Sequence, residues 1–232
     1  MFDQMADNLG EQDRLRRNLV ASVAHELRTP IAILRASIEA MLDGVHDLSI
    51  GRLRSLHDES VRLGHMVTDL QRLAAAEAAA AQLRLVTYDL AENAADAADS
   101  LADIADSVGI RLVRRPRPAP VRCDPLRMRE VVTNLLTNAV KYTPPGGEVM
   151  LETGMAGDQA TLTVSDTGAG IAPEDLPHLT ERFFRGRRSA DVGGSGIGLT
   201  IVDELVRAHH GSIDFASRPG GGTKVTVLLP AV

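Results

Sequence analysis

The sequence predicts two unlike parts, an all-α helical hairpin followed by an α/β sandwich domain. In the first third of the chain, apolar residues recur every three or four positions, which is the period of an α-helix with one buried face. In the remainder, short runs of alternating apolar and polar residues, which are typical of strands, are interleaved with helical segments and glycine-rich turns. A nearly pure alanine stretch at 74–81 separates the two patterns. We therefore expect a multidomain chain divided into residues 1–11, a hairpin at 12–82 and an α/β domain at 83–232.

The hairpin is predicted from two apolar stripes. The first helix is expected over 12–42, with its stripe at Leu15, Leu19, Val23, Leu27, Ile31, Leu34, Ile38 and Leu42. The second is expected to continue through the alanine stretch, with its stripe at Leu53, Leu56, Leu63, Val67, Leu70 and Ala74. A turn at 43–47, where Gly44 suits the end of a helix, joins them. One hairpin cannot fully bury two such stripes, so we expect a homodimer in which two copies form a four-helix bundle.

The α/β domain is predicted to begin after a linker near 82–86. We expect helices over residues 88–108, 125–141 and 198–208. We expect strands over residues 110–113, 121–123, 148–152, 160–165, 212–216 and 224–229. Asp124 and Pro125 suit the cap and the first position of the second of these helices. Turns are expected at 154–157 and at 220–222.

Composition excludes several classes of protein. A hydrophobic fraction of 44% over 232 residues is enough to build a core. The net charge of −6 argues against direct nucleic-acid binding, which needs a basic surface. The single Cys123 excludes an internal disulfide. No apolar run approaches the roughly 20 residues that span a bilayer, and no signal peptide is visible, so the chain as given is expected to be soluble.

One histidine on the first helix is a candidate nucleophile. His25 lies off the apolar stripe and next to Glu26, so its imidazole is expected to face solvent. Thr29 follows one helical turn later on the same side, and Pro30 is expected to bend the helix. A lone helical histidine is more often an ordinary surface or core residue. The significance of His25 therefore depends on the rest of the chain.

Three polar side chains share one face of the helix at 125–141. Glu130, Asn134 and Asn138 recur at every fourth position. Amide oxygens are neutral, hard ligands that can hold Mg²⁺ beside a polyphosphate without adding negative charge. The alternative is a polar face turned to solvent.

Two glycine-containing segments suggest a ligand with a base and phosphates. Asp166 ends a strand and is followed by Gly168 and Gly170; its carboxylate can accept from the exocyclic amino group of adenine but would repel the carbonyl of guanine. The segment 193–198 opens a helix, where free N–H groups and the helix dipole favour an anion. It matches neither a dinucleotide fingerprint nor a Walker loop. Alone, the first segment is a common tight turn and the second a flexible connector.

The long segment between them, 171–192, is predicted to be a mobile lid. Phe183 and Phe184 are candidates to anchor it on an apolar surface. Its arginines, Arg182, Arg185, Arg187 and Arg188, are candidates to approach phosphates or simply to be solvated.

In combination these pieces resemble the adenosine-nucleotide domain shared by gyrase-type ATPases, Hsp90 chaperones, MutL proteins and sensor histidine kinases. The whole chain resembles a two-component sensor histidine kinase through five motifs in order. They are an H box at 23–30, an N box at 134–142, a first glycine box at 166–170, an F box at 181–185 and a second glycine box at 194–198. The F box departs from the pattern, since Leu179 and Thr180 stand where bulkier apolar residues are usual.

The resemblance implies roles for particular residues. His25 would be phosphorylated by ATP, Glu26 would take the ring proton, and Thr29 would orient a water for dephosphorylation of a regulator aspartate. Mg²⁺ would be held by Asn138 and Asn134. The nucleotide site would comprise Asn134, Asn138, Lys141, Tyr142, Asp166, Gly168, Gly170, Ile171, Arg185, Gly194, Ser195, Gly196, Ile197, Gly198, Leu199 and Thr223.

Asn134 helps to choose among the relatives. Chaperone-type and gyrase-type ATPases have a water-activating glutamate there, and an amide cannot act as that base. We therefore favour phosphotransfer to His25 over an ATP-operated clamp. A dimeric adaptor that binds ATP only structurally is the second alternative.

The expected partners are a second copy of the chain and the receiver domain of a separate response regulator. Residues 1–11 resemble the end of a signalling linker, which implies the cytoplasmic portion of a bacterial inner-membrane protein. The sequence leaves open whether a subunit would phosphorylate itself or its partner.

Overall fold

The structure, a computed structural model, describes residues 27–47, 49–80, 82–186 and 195–232. His25, Glu26 and Gly194, with Arg187 and Arg188, lie outside this part of the chain. Residue contacts divide the chain into two units, one that ends at Leu70 and one that runs from Gln71 to Val232.

The first unit contains helical residues 27–42, here called α1, and most of α2, Ile50–Ala80. Gly44, at φ +68°, ends α1 in the left-handed conformation, and the amide of His46 reaches back to the carbonyl of Ala40 at 2.9 Å. The predicted start of this helix, over 12–26, lies outside the described residues. Several members of the apolar stripes are exposed in the single chain, namely Ile31, Ile38, Leu42, Leu53 and Val67.

Among its described residues, the second unit contains three further α-helices, a short 3-10 helix at Leu176–His178 and seven strands. The helices are α3 Leu90–Ser107, α4 Pro125–Tyr142 and α5 Gly198–Ala208. The strands are β1 Val86–Asp89, β2 Arg111–Arg115, β3 Pro120–Cys123, β4 Glu148–Ala156, β5 Gln159–Asp166, β6 Ser212–Ser217 and β7 Thr223–Pro230.

Five of the strands form one sheet in the order β2–β4–β5–β7–β6. Only β2 and β4 run parallel, and the other neighbours are antiparallel. Helices α3, α4 and α5 contact this sheet and pack beside one another, with α4 in the middle. The buried core between these layers includes Val132, Leu136, Leu151, Leu162, Leu205 and Val227. This is the predicted α/β sandwich.

Capping explains where the two longer helices of this unit begin. The Asp124 carboxylate accepts hydrogen bonds from the amides of Leu126 and Arg127, and Pro125 follows at the first helical position, as the sequence predicted. Burial acts to raise the pKa of Asp124, but bonds from these two amides and from that of Arg84 outweigh it, so the pKa is lowered. Asp89 caps α3 in the same way, through the amide of Ala91.

Two expectations are corrected. The sequence placed Val86 in the linker and Tyr88 in a helix, but both belong to β1, which pairs with β3 so that Val86 lies opposite Cys123. The helix cannot begin before Leu90, because Asp89 is its cap. The turn expected at 154–157 is also shorter: Gly154 lies inside β4 opposite Thr161, and Gly157, at φ +65°, makes the turn.

Candidate nucleotide site

The amide face of α4 lies against the start of α5. A Cβ built on Gly198 would be 3.5 Å from Oδ1 of Asn134 and 3.6 Å from Nδ2 of Asn138. The Nδ2 group of Asn134 donates to the carbonyl of Glu130 at 3.0 Å, so its carbonyl end is fixed as an acceptor. Residues 60 positions apart in the sequence are thus adjacent because α4 packs on α5. The predicted grouping of the asparagines with Gly198 is present in the structure.

The first turn of α5 lacks a side-chain cap. Its N-cap residue is Ile197, which is buried and offers no hydrogen bond to the first amides. Oγ of Ser195 accepts from the amide of Ile197, at 3.4 Å. The amides that begin at Gly198 therefore meet the condition for an anion site at a helix N-terminus.

A second cluster forms around Asp166, at the end of β5. Its Oδ1 accepts from the amide of Gly168 at 2.8 Å and from the amide of Thr223 at 3.2 Å. Burial raises the pKa of Asp166, and these two hydrogen bonds offset that rise only in part. A half-buried carboxylate with a raised pKa gains when a ligand supplies another donor.

Two glycines of this cluster are required by the approach of protein backbone. A Cβ on Gly168 would lie 2.4 Å from the carbonyl oxygen of Tyr142, and one on Gly170 would lie 1.9 Å from that of Arg218. Gly170 also has φ +67°. Tyr142 ends α4, so this helix connects the Asp166 cluster with the amide face.

The remaining predicted nucleotide residues lie in or beside these clusters. Nζ of Lys141 lies 5.0 Å from the centre of the Tyr142 ring, a cation–π contact. The amide of Ile171 donates to Oγ of Ser217 at 2.9 Å. Leu199 is in the first turn of α5, and Arg185 is half-buried.

The F box packs on the second glycine box. Gly196, at φ +78°, would place a Cβ 2.6 Å from the carbonyl oxygen of Phe184. Phe183 has φ +64°, which is unusual for a residue with a side chain. Arg182 is not simply solvated: its Nη2 donates to Oε1 of Glu77 at 2.6 Å. No sequence signal indicated this pair, which joins residues 105 positions apart.

Two residues at the Asp166 cluster were missed from the sequence. Gly222, at φ +73°, would place a Cβ 1.9 Å from the carbonyl oxygen of Asp166. Ser217 bonds to three residues of two neighbouring segments, Ile171 in one and Gly222 and Thr223 in the other. Gly222 was interpreted only as part of the turn at 220–222, and Ser217, which follows the predicted strand 212–216, was assigned no role. Thr223, which follows this turn and was predicted as a nucleotide-site residue, was the one sequence signal that pointed to this part of the cluster.

Of the predicted catalytic residues, only Thr29 is described; it lies exposed on α1. Among described residues, no group of three or more His, Cys, Asp or Glu side chains is arranged to hold a metal. None of the helices in the described ranges is both long and apolar enough to cross a bilayer.

Comparison with known proteins identifies the family. The model of His Kinase A (phospho-acceptor) domains matches residues 15–79, and that of histidine kinase-, DNA gyrase B- and HSP90-like ATPases matches residues 123–232. A solved mycobacterial sensor histidine kinase, MprB, is 30% identical, with 97% of its chain and 62% of this one covered and a TM-score of 0.57. The chain belongs to the sensor histidine kinase family. The predicted family and fold class are confirmed.

The chain is also similar to two further histidine kinases, one in sequence and one in fold. The histidine-protein kinase BaeS of Escherichia coli K12 is 35% identical over 99% of this chain, which spans 50% of the length of BaeS. The fold also resembles that of the histidine kinase ThkA, solved in complex with the response regulator protein TrrA. That match has a TM-score of 0.69 at 20% identity and covers 95% of this chain and 64% of ThkA.

Proposed function

We propose that this chain is a kinase core that transfers the γ-phosphoryl group of ATP to His25 and then to an aspartate of a response regulator. The observation that carries the proposal is that two complementary clusters lie against the same helix, one beside the end of α4 at Tyr142 and one on its face at Asn134 and Asn138. One cluster presents a carboxylate, Asp166, and the other presents the amides of Asn134 and Asn138 beside a helix start.

The Asp166 cluster is suited to the base. Both backbone amides bond to Oδ1, and Oδ2 is the oxygen that we assign to the adenine amino group. Burial raises the pKa of this carboxyl because it removes water that would stabilise the charge. A hydrogen-bond donor from the ligand takes the place of that water.

The amide face is suited to the triphosphate and Mg²⁺. Oδ1 of Asn134 and Oδ1 of Asn138 lie 3.5 and 4.0 Å from one point, the position of a Cβ on Gly198. Uncharged oxygens in that arrangement fit a hard cation whose other ligands are phosphate oxygens. When bound, Mg²⁺ neutralises charge on the transferring phosphoryl group. Lys141 and the first amides of α5 contribute further positive potential.

The transfer to His25 follows from the chemistry of a neutral imidazole. Nε2 forms a bond to the γ-phosphorus as the bond from that phosphorus to the bridging oxygen breaks and ADP leaves. The phosphorylated ring then loses its Nδ1 proton to Glu26. Asn134 cannot activate water, which keeps ATP intact until the histidine reaches it.

Dimerisation through α1 and α2 is part of this proposal. The exposed members of the two apolar stripes, Ile31, Ile38, Leu53 and Val67 among them, give each hairpin a surface suited to a second copy. We also propose that Thr29, exposed on α1, orients a water in regulator dephosphorylation. Placement as the cytoplasmic portion of an inner-membrane sensor stays a prediction.

Labelling with γ-labelled ATP and Mg²⁺ tests the proposal. Wild type should acquire acid-labile, base-stable label, and His25→Ala should acquire none. His57→Ala, at an exposed position of α2, is the matched control and should label normally. Label that survives in His25→Ala would refute the acceptor, and rapid ATP hydrolysis without labelled protein would favour the clamp.

A further inference from the structure

Ser217, the last residue of β6, bonds to two segments that border Asp166, one at Ile171 and one at Gly222 and Thr223. Its Oγ accepts from the amide of Ile171 at 2.9 Å and donates to the carbonyl of Gly222 at 2.7 Å. It also lies 3.0 Å from Oγ1 of Thr223. Ile171 follows the first glycine box, and Thr223 is the residue whose amide bonds to Asp166.

The direction of the hydrogen bond between the two hydroxyls follows from proton counting. A serine hydroxyl has one proton and two lone pairs. The carbonyl of Gly222 can only accept, so it takes the Ser217 proton, and the amide of Ile171 can only donate, so it takes one lone pair. The second lone pair then receives the proton of Thr223. Oγ1 of Thr223 is left with lone pairs alone.

We propose that Ser217 is a positioning residue that sets the specificity for the base. By holding Thr223 and Ile171, it fixes in place the residue whose amide donates to Oδ1 of Asp166. A carboxylate held in one orientation favours a base edge that carries an amino group there over one that carries a carbonyl. This inference rests on the proposed assignment of Asp166 to the adenine amino group.

The burial of these groups strengthens the effect. Ser217, Thr223 and Asp166 are all half-buried, and Gly222 is fully buried. Where water is partly excluded, a carbonyl placed against the carboxylate cannot readily recover its lost hydrogen bonds. The cost of the wrong base therefore depends on the fixed orientation of the Asp166 carboxylate, which is held through the amide of Thr223.

The test compares binding of ATP with binding of inosine triphosphate, which has a carbonyl in place of the amino group. Ser217→Ala should lower ATP affinity by about tenfold and change inosine triphosphate affinity by less than about threefold, so that selectivity falls. Ser217→Thr keeps the hydroxyl and should restore selectivity. Ser212→Ala, exposed at the other end of β6, is the matched control and should match wild type.

Several outcomes would overturn the proposal. Equal loss of affinity for both nucleotides in Ser217→Ala would show a purely structural role. If that variant does not fold, Thr223→Val, which removes the oriented hydroxyl itself, must show the same fall in selectivity. Asp166→Asn separates the two proposals in the same assay. If it abolishes selectivity while folded Ser217→Ala leaves it intact, only the role of Ser217 fails. If Asp166→Asn also leaves selectivity intact, the assignment of the base fails.

Discussion

The backbone amide of Asp124 donates to Nε2 of His209 at 3.0 Å. The other ring nitrogen, Nδ1, donates to the carbonyl of Leu205 at 2.7 Å. An amide can only donate and a carbonyl can only accept, so the ring is held neutral with its proton on Nδ1. His209 is only 4% exposed. This bond ties the end of α5 to the start of α4, the two helices that meet again at Gly198 and Asn134.

The His209 contact predicts a loss of stability in mild acid. Burial lowers the pKa of His209 below 6.5, and its bond to the Leu205 carbonyl offsets this only in part. As pH falls below about 6.5, His209 binds a proton in the unfolded chain but not in the folded chain. The free energy of unfolding therefore falls with pH until the folded pKa is reached, with a slope of at most about 1.4 kcal/mol per pH unit from this group.

Urea unfolding at a series of pH values checks this prediction. His209→Gln, which cannot titrate, should lose the part of the slope that lies just below pH 6.5. His210→Asn is the control, because His210 is exposed and has φ +59°, which asparagine tolerates. An unchanged slope in His209→Gln would contradict the assignment.

Asp166→Asn should separate stability from nucleotide binding. The pKa of Asp166 is raised above 3.8 by burial, so its ionisation as pH rises costs folding free energy. The amide removes that charge and keeps an Oδ1 acceptor for Gly168 and Thr223. We expect unchanged or higher stability at neutral pH. The Nδ2 group would oppose the adenine amino group, so ATP affinity should fall by about a hundredfold or more.

Calorimetric titration with ATP and thermal unfolding measure the two effects on the same protein. Asp158→Asn, at an exposed turn position, removes the same charge elsewhere and should leave ATP affinity unchanged. Retained ATP affinity in folded Asp166→Asn would remove the carboxylate from the base site.

Sequence reasoning was strongest where a local pattern determines the structure. The cap at Asp124, the helix after it and the glycine at the end of α1 are local features, and each was predicted. The fold class followed from the same periodicities. β1 was missed because a four-residue strand has too little alternation to distinguish it from a linker.

Contacts between distant segments were much less predictable. Gly168 and Gly170 were predicted as nucleotide-site residues, but no sequence signal indicated that a Cβ on either would collide with protein backbone. The partner of Arg182, Glu77, depends on tertiary packing that no spacing reveals. Ser217 likewise acquires its role only when β6, β7 and the turn after β5 come together.

Asn138→Ala should weaken binding of ATP chiefly when Mg²⁺ is present. The substitution removes one of the two amide oxygens near Gly198 and leaves the Asp166 cluster intact. We expect a loss of about tenfold or more in affinity with Mg²⁺ and less than about threefold in excess chelator. Thr137→Ala, on the exposed side of α4, is the control. An equal loss in both conditions would argue against a metal role.

The glycines of the turn after β6 provide a matched pair of substitutions. Gly220 and Gly222 both have φ +73°, so alanine at either position costs about 1 kcal/mol of backbone strain. A Cβ on Gly220 meets nothing within 4 Å, whereas one on Gly222 would lie 1.9 Å from the carbonyl oxygen of Asp166. Gly222→Ala must therefore displace the strand end that carries the carboxylate.

Thermal unfolding and ATP titration of the two variants measure this difference. Gly220→Ala should be destabilised only by the backbone strain of about 1 kcal/mol and should bind ATP nearly as wild type does. Gly222→Ala should be destabilised by a further 1–3 kcal/mol, roughly the cost of overpacking, and should bind ATP at least about tenfold more weakly. Because strain is the same at both sites, the excess effect at Gly222 isolates the backbone contact with Asp166. Equal behaviour of the two variants would mean that this turn can move away without disturbing the carboxylate.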